Sequence, residues 1–184
     1  LNGVAVIPSQ VNTTFVSSTN PGVTLSGTNV VVAPGTPVGN YILTYQICEV
    51  LNPANCDTAI VTVPVTAAAI DAVNDTIAST NGTNGNPNAG NVLTSNGNGP
   101  DTLNGAPATT SQVTISIVTP ATPVSPGAPV PSVDPVTGQI SIPANTPAGN
   151  YTITYQICEI LNPTNCDTAV VTVPVSAATI VAND

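Results

Sequence analysis

Four cysteines fall into two pairs of identical spacing, Cys48 with Cys56 and Cys158 with Cys166. Zinc wants two to four residues between such ligands, usually with histidine or a second pair nearby; here seven intervene and the pairs stand 110 residues apart. A nucleophilic thiol needs a neighbouring cation to lower its pKa, and the chain has no Lys, Arg or His. A local disulfide formed in an oxidising compartment is the reading that fits, with two reduced buried thiols as the alternative.

The other chemical resource is acid. Nine Asp and Glu give a net charge of −9, and no basic side chain exists to pair with any of them. These acids must be solvated, hydrogen-bonded or bound to cations from outside. Phosphate recognition and attraction to anionic lipid both rest on Lys and Arg, so nucleic acid and charged membranes are excluded as partners. Without His or Lys there is no usual base for a Ser or Cys nucleophile and no Schiff-base amine. Paired carboxylates are the one acid–base resource left, and the chain reads as non-catalytic. Gly97-Asn98-Gly99-Pro100 lacks the third glycine and the helix of a phosphate loop, and no EF-hand pattern is present.

A repeat positions these groups. Residues 36–65 recur at 146–175 with differences only at positions 38, 42, 43, 50, 54 and 60, so 24 of 30 match, which marks a tandem duplication. Upstream, Leu1-Asn2-Gly3 and Ser9-Gln10-Val11 recur as Leu103-Asn104-Gly105 and Ser111-Gln112-Val113. Ala72-Val73-Asn74-Asp75 recurs approximately as Val181-Ala182-Asn183-Asp184. The expected organisation is a repeat at 1–70 lacking an equivalent of 75–102, a complete repeat at 71–180, and the start of another at 181–184. A window from a longer array is what this organisation leads one to expect.

Nineteen Pro and 14 Gly disfavour helices, and abundant Val and Thr favour strands. Tyr151, Ile153, Tyr155 and Ile157 alternate with polar residues; after a turn at Leu161–Asn165, Ala169, Val171, Val173 and Val175 do the same. The pattern predicts an antiparallel hairpin with its apolar face inward, and it recurs in the first copy. All four tyrosines then belong to the core rather than to a sugar-stacking platform. Cys48 shares its face with Thr44 and Gln46, and Cys56 with Thr58 and Thr62, so both point away from the core. Cross-strand pairing of the cysteines places Tyr45 opposite Ala59, Leu43 opposite Val61 and Tyr41 opposite Val63. Further strands are expected at 4–7, 13–17, 30–32, 74–78, 113–118 and 139–142. Residues 79–100 read as a long loop with a short strand at 92–94. About seven strands per repeat predict an all-β fold of tandem immunoglobulin-like antiparallel sandwiches.

The segments TYQICE, LNPTNCDTA, VTVPV and the junctional DAVNDT resemble the Ig-like repeats of very large cell-surface adhesins of Bacteroidetes, including gliding-motility adhesins exported by type IX secretion. Val92-Leu93-Thr94 followed by Asp101-Thr102-Leu103-Asn104-Gly105 resembles that family's VLxNDTLNG stretch, split by an Asn/Gly insertion. The resemblance implies secretion, surface attachment through other parts of the full-length protein, and arrays of neighbouring repeats. Asp57-Thr58-Ala59, Asp75-Thr76-Ile77, Asp101-Thr102-Leu103 and Asp167-Thr168-Ala169 resemble the Asp-Ser/Thr-apolar acceptor signal of Bacteroidetes O-glycosylation. It implies glycans on Thr58, Thr76, Thr102 and Thr168, against the plain reading that Thr is a good strand residue after a turn Asp.

An Ig-like sandwich brings Glu159 and Asp167 toward Asp71 and Asp75 at the repeat junction. Calcium held by those four is one expectation, and solvated acids kept for solubility the other. No organic cofactor is expected. The functional reading is a structural spacer presenting a distal binding region. Its alternatives are repeats that themselves bind glycan or protein, and assembly into an extracellular filament by edge-strand exchange.

Overall fold

The computed structural model describes residues 1–94 and 96–182. Among them there is no α-helix; a single turn of 3₁₀ helix at Pro8–Gln10 is followed by sixteen strands. They divide into two compact units, Leu1–Ala67 and Ala68–Asp184.

In the first unit, β1 (Val11–Ser18), β4 (Gly39–Glu49) and β5 (Cys56–Val65) form one antiparallel sheet in the order β1-β4-β5. A separate hairpin joins β2 (Val23–Ser26) to β3 (Asn29–Val32). The β4–β5 register is the one that strand parity requires: Tyr45 faces Ala59, Leu43 faces Val61, Tyr41 faces Val63 and Cys48 faces Cys56. Only Val23 and Leu43 among this unit's apolar side chains are fully enclosed.

The second unit opens with β6 (Ile70–Asp71), β7 (Asp75–Thr76), β8 (Thr80–Asn81), β9 (Asn86–Asn91), β10 (Thr102–Leu103) and β11 (Ala106–Pro107). It continues with β12 (Val113–Thr119), β13 (Ser132–Val133), β14 (Gln139–Ile142), β15 (Gly149–Glu159) and β16 (Cys166–Ser176). One sheet runs β12-β15-β16-β7, with β8 also on β16, and a second runs β13-β14-β9. Both β7 and β8 lie parallel to β16, whereas the other pairings are antiparallel. Between the sheets lies a closed core including Ile77, Val92, Ile140, Ile142, Tyr155, Ile157, Val171 and Val173. This is an antiparallel β-sandwich of immunoglobulin-like type, with period-2 strands burying one face each.

Three expectations are corrected. Residues 4–7 form no strand, because their apolar alternation finds no partner to pair with. Within 79–100, expected as loop, β8 and β9 are strands, while 92–94 is a turn. β9 (Asn-Pro-Asn-Ala-Gly-Asn) carries no apolar period; it is held by backbone pairing to β14, and Gly90 is required where a Cβ would stand 2.9 Å from Ile77. Thirdly, Tyr41 and Tyr45 are only half-buried, unlike Tyr151 and Tyr155 at 3% and 0% exposure. Of the residues assigned to a following repeat, Val181 and Ala182 carry no strand, and Asn183 and Asp184 lie outside the described residues.

Candidate functional site

Tyr155 sits on the inward face of β15 because its strand alternates apolar and polar residues, and its hydroxyl is thereby carried into the sandwich. A buried phenol must find a partner. This one finds five acceptors. The hydroxyl lies 3.1 Å from the carbonyl of Val73, 3.3 Å from that of Val92, 3.1 Å from both oxygens of Asp101, and 3.5 Å from Oδ2 of Asp75. A phenol has one proton to give, so most of these oxygens receive no donation from it.

Asp75 and Asp101 are 2% and 1% exposed. The Val73 amide donates to Asp101 Oδ1 at 2.7 Å. Asp75 Oδ1 is buried with no hydrogen-bond partner, although Asn96 and Tyr155 both face this carboxyl. Burial, reinforced by the mutual repulsion of the two acids, pushes Asp75 up to about 6. Asp101 is likewise pushed up to about 6, by burial first and then by the charges of Asp71 and Asp167. The Tyr155 phenol is driven far above its ordinary value by burial and the two neighbouring aspartates.

All four acids expected to hold calcium lie in the second unit. Asp71 in β6 is exposed, and Asp167 Oδ2 accepts from the Ala72 amide at 2.9 Å; both bear on Asp101. Asp75 shares the Tyr155 hydroxyl with Asp101, whose charge bears on it. Glu159 is separately engaged, accepting from Asn165 Nδ2 at 2.8 Å, while that same nitrogen also donates to the Ala68 carbonyl. Among the described residues, no three His, Cys, Asp or Glu side chains are grouped so as to hold a metal ion. Asp101, central to this cluster, is the acid that sequence reasoning left out of the junctional group. Its signal was the stretch 92–94 and 101–105: although an insertion separates its halves along the chain, Val92 and Asp101 meet at one hydroxyl.

Disulfides join Cys48 to Cys56 and Cys158 to Cys166, and none of the cysteines is free. Thr58, Thr76 and Thr168 are exposed and Thr102 is half-buried. Other devices recur between the units. Tyr41 and Tyr151 each donate to a proline carbonyl four residues back, at 2.8 Å, and Glu49 and Glu159 each accept from an asparagine amide. The first unit has instead an open apolar groove of about 340 Å³ where Tyr45, Ile47 and Val61 meet Val11, Leu25 and Val30.

No protein-family model matches the chain, and no curated protein matches it by sequence. Solved structures similar to it include protocadherin gamma B2 extracellular cadherin domains 3–6, at 13% identity and a TM-score of 0.42, covering 92% of this chain and 44% of that one. The human desmocollin-1 ectodomain matches at 10% identity and 0.42, covering 90% and 33%. Mouse cadherin-23 EC22–24 matches at 17% and 0.37, covering 91% and 54%. The chain thus spans about a third to a half of these structures.

Proposed function

We propose that this chain is a non-catalytic spacer from a large secreted surface adhesin, its units serving to hold a distal binding region away from the cell. The observation that carries this reading is repetition at the level of register. β4 pairs β5 as β15 pairs β16, residue for residue, and each hairpin is closed by its own disulfide. Even the irregularity is copied: β1 on β4 and β12 on β15 both shift register after the fifth residue. Units that reproduce scaffold detail suit one mechanical task performed many times.

Repeat boundaries near 70 and 180, export by the type IX route, and glycans on Thr58, Thr76, Thr102 and Thr168 belong to the same reading. Three of those threonines are open to solvent, and sugars there would shield strand edges in a chain with no lysine to protect them. Calcium among Asp71, Asp75, Glu159 and Asp167 would stiffen the second unit. The partners are neighbouring repeats.

Presenting the immobilised 184-residue chain to an oligosaccharide array and to a panel of extracellular proteins tests the spacer reading. A spacer gives no saturable binding. Saturable binding to any glycan or protein in the panel overturns it in favour of repeats that carry the ligand site themselves.

A further inference from the structure

The polar cluster under β15 is built from acceptors with too few donors. Four carboxylate oxygens and two carbonyls face an interior in which the hydroxyl has one proton, the Val73 amide donates to Asp101 Oδ1, and the donors of Asn96 face the Asp75 carboxyl without bonding its Oδ1. Asp75 Oδ1 has none. An ionised carboxylate stripped of water without a donor is among the costliest groups a protein can bury, and the chain has no Lys, Arg or His with which to neutralise it. A trapped water would supply donors but no charge. Oxygen-only ligands, two of them anionic and the rest neutral, are the coordination chemistry of a hard divalent ion, for which calcium's flexible shell of six to eight oxygens is best suited.

We propose that Asp75 and Asp101 are the charged ligands of a calcium site inside the second unit, completed by the carbonyls of Val73 and Val92 beside the Tyr155 hydroxyl. This sharpens the calcium reading above by moving the ion off Glu159 and onto Asp101. The site draws on the start of the unit (73 and 75), on both sides of the insertion (92 and 101) and on β15. An ion there ties three segments distant in sequence to one point, leaving Asp71 and Asp167 as an outer acidic ring that concentrates cations at its approach.

Terbium is the probe, since Tb³⁺ occupies calcium sites and a tyrosine in contact with it sensitises its emission; the chain has no Trp to confuse the signal. The full 184-residue chain, stripped with chelator, is titrated with Tb³⁺ under tyrosine excitation, and its thermal midpoint is followed with and without millimolar calcium. Saturable emission displaced by calcium, and a calcium-dependent rise in midpoint, are expected. Asp75→Asn and Asp101→Asn each weaken Tb³⁺ binding by about tenfold or more, Tyr155→Phe dims the emission without abolishing calcium's thermal effect, and Glu159→Gln leaves both intact. Near-ultraviolet dichroism confirms that each variant is folded. If an asparagine variant fails to fold, the parent's calcium-dependent midpoint and the Tyr155→Phe dimming decide the matter alone. No emission and no midpoint shift in the parent overturn both calcium readings. Emission lost with Glu159→Gln but kept in both asparagine variants overturns this site alone, and emission indifferent to every variant shows ions on the acidic surface only.

Discussion

The two units carry almost the same strand pair and treat it differently. Tyr155, Ile157, Val171 and Val173 are enclosed, whereas Tyr45, Ile47, Val61 and Val63, their copies 110 residues earlier, are only half-buried. The contrast extends to the facing sheet. Val30 and Val32 are 38% and 42% exposed, yet Ile140 and Ile142 at the matching positions are 0% and 2% exposed. The sequences of the two hairpins cannot account for this, since 36–65 and 146–175 match so closely. What differs is the segment from 68 to 102, which adds β9 to β14, lays β7 and β8 along β16, and sends Ile77, Val92 and Leu93 into the core. Strand pattern specifies which face is apolar; a covering segment decides whether that face becomes a core.

The most drastic way to probe the contrast is to abolish it. Placing a second copy of residues 68–102 ahead of Leu1 gives the first unit the segment that precedes Leu103 in the second. Burying its half-exposed valines and tyrosine should stabilise that unit on the order of 4 kcal/mol. Hydrogen exchange at the Tyr45 and Val61 amides reads the result, and unchanged protection there would mean that the covering segment is not the cause. A single-site version compares Ile157→Ala with Ile47→Ala. The first opens a cavity in a closed core and should cost about 3 kcal/mol, while the second should cost well under half as much because its site is already open. Equal losses in urea unfolding would erase the distinction.

Next comes a feature that should not differ. Cys158→Ser with Cys166→Ser, or Cys48→Ser with Cys56→Ser, removes the constraint on a loop of the same length, so each pair of changes should cost its own unit about 2.5 kcal/mol. A large inequality would show that the hairpin's unfolded state depends on the rest of the unit.

The smallest effect concerns protons. In divalent-free buffer Asp75 and Asp101 are pushed up to about 6, above the range of an ordinary aspartate, by burial first, then by the charge of Asp101 on Asp75 and those of Asp71 and Asp167 on Asp101. A carboxyl whose pKa is raised by folding contributes stability that is complete below about pH 4 and is lost as pH rises through about 6. The second unit should therefore become more stable between pH 7 and 4.5 when chelator is present, and Asp101→Asn should flatten the profile. Within residues 1–67 the sole aspartate is Asp57, the copy of Asp167, so that unit serves as the internal control.

The hairpins were legible beforehand and the contrast between them was not, for physical reasons. Alternation fixed the hairpins and parity fixed their register, because a strand has only two faces and the cysteines had to share one. β9 was illegible because Asn86–Asn91 contributes backbone rather than apolar side chains to its sheet. Asp101 was passed over because it is separated from 92–94 along the chain, and only the fold brings Val92 and Asp101 to one hydroxyl. The tyrosines of the first copy were assigned to a core on face alone, and face does not report what lies across from it.

Where the second unit begins and where it ends, the chain runs in the same direction. β7 and β8 lie parallel to β16, joined through Asp75 to Val171, Thr76 to Thr172, Thr80 to Val175 and Asn81 to Ser176. Tension applied through the two ends pulls the entering segment one way and the departing strand the other, along their common axis. Their hydrogen bonds are then loaded in shear and must rupture together, whereas an antiparallel hairpin pulled from its open end unzips one rung at a time. Behind that clamp, Cys158–Cys166 withholds the loop it closes, eight residues of separation or roughly 27 Å of extended chain. A tether made of such units would hold its length under drag until a sharp threshold, and then yield by less than its residue count.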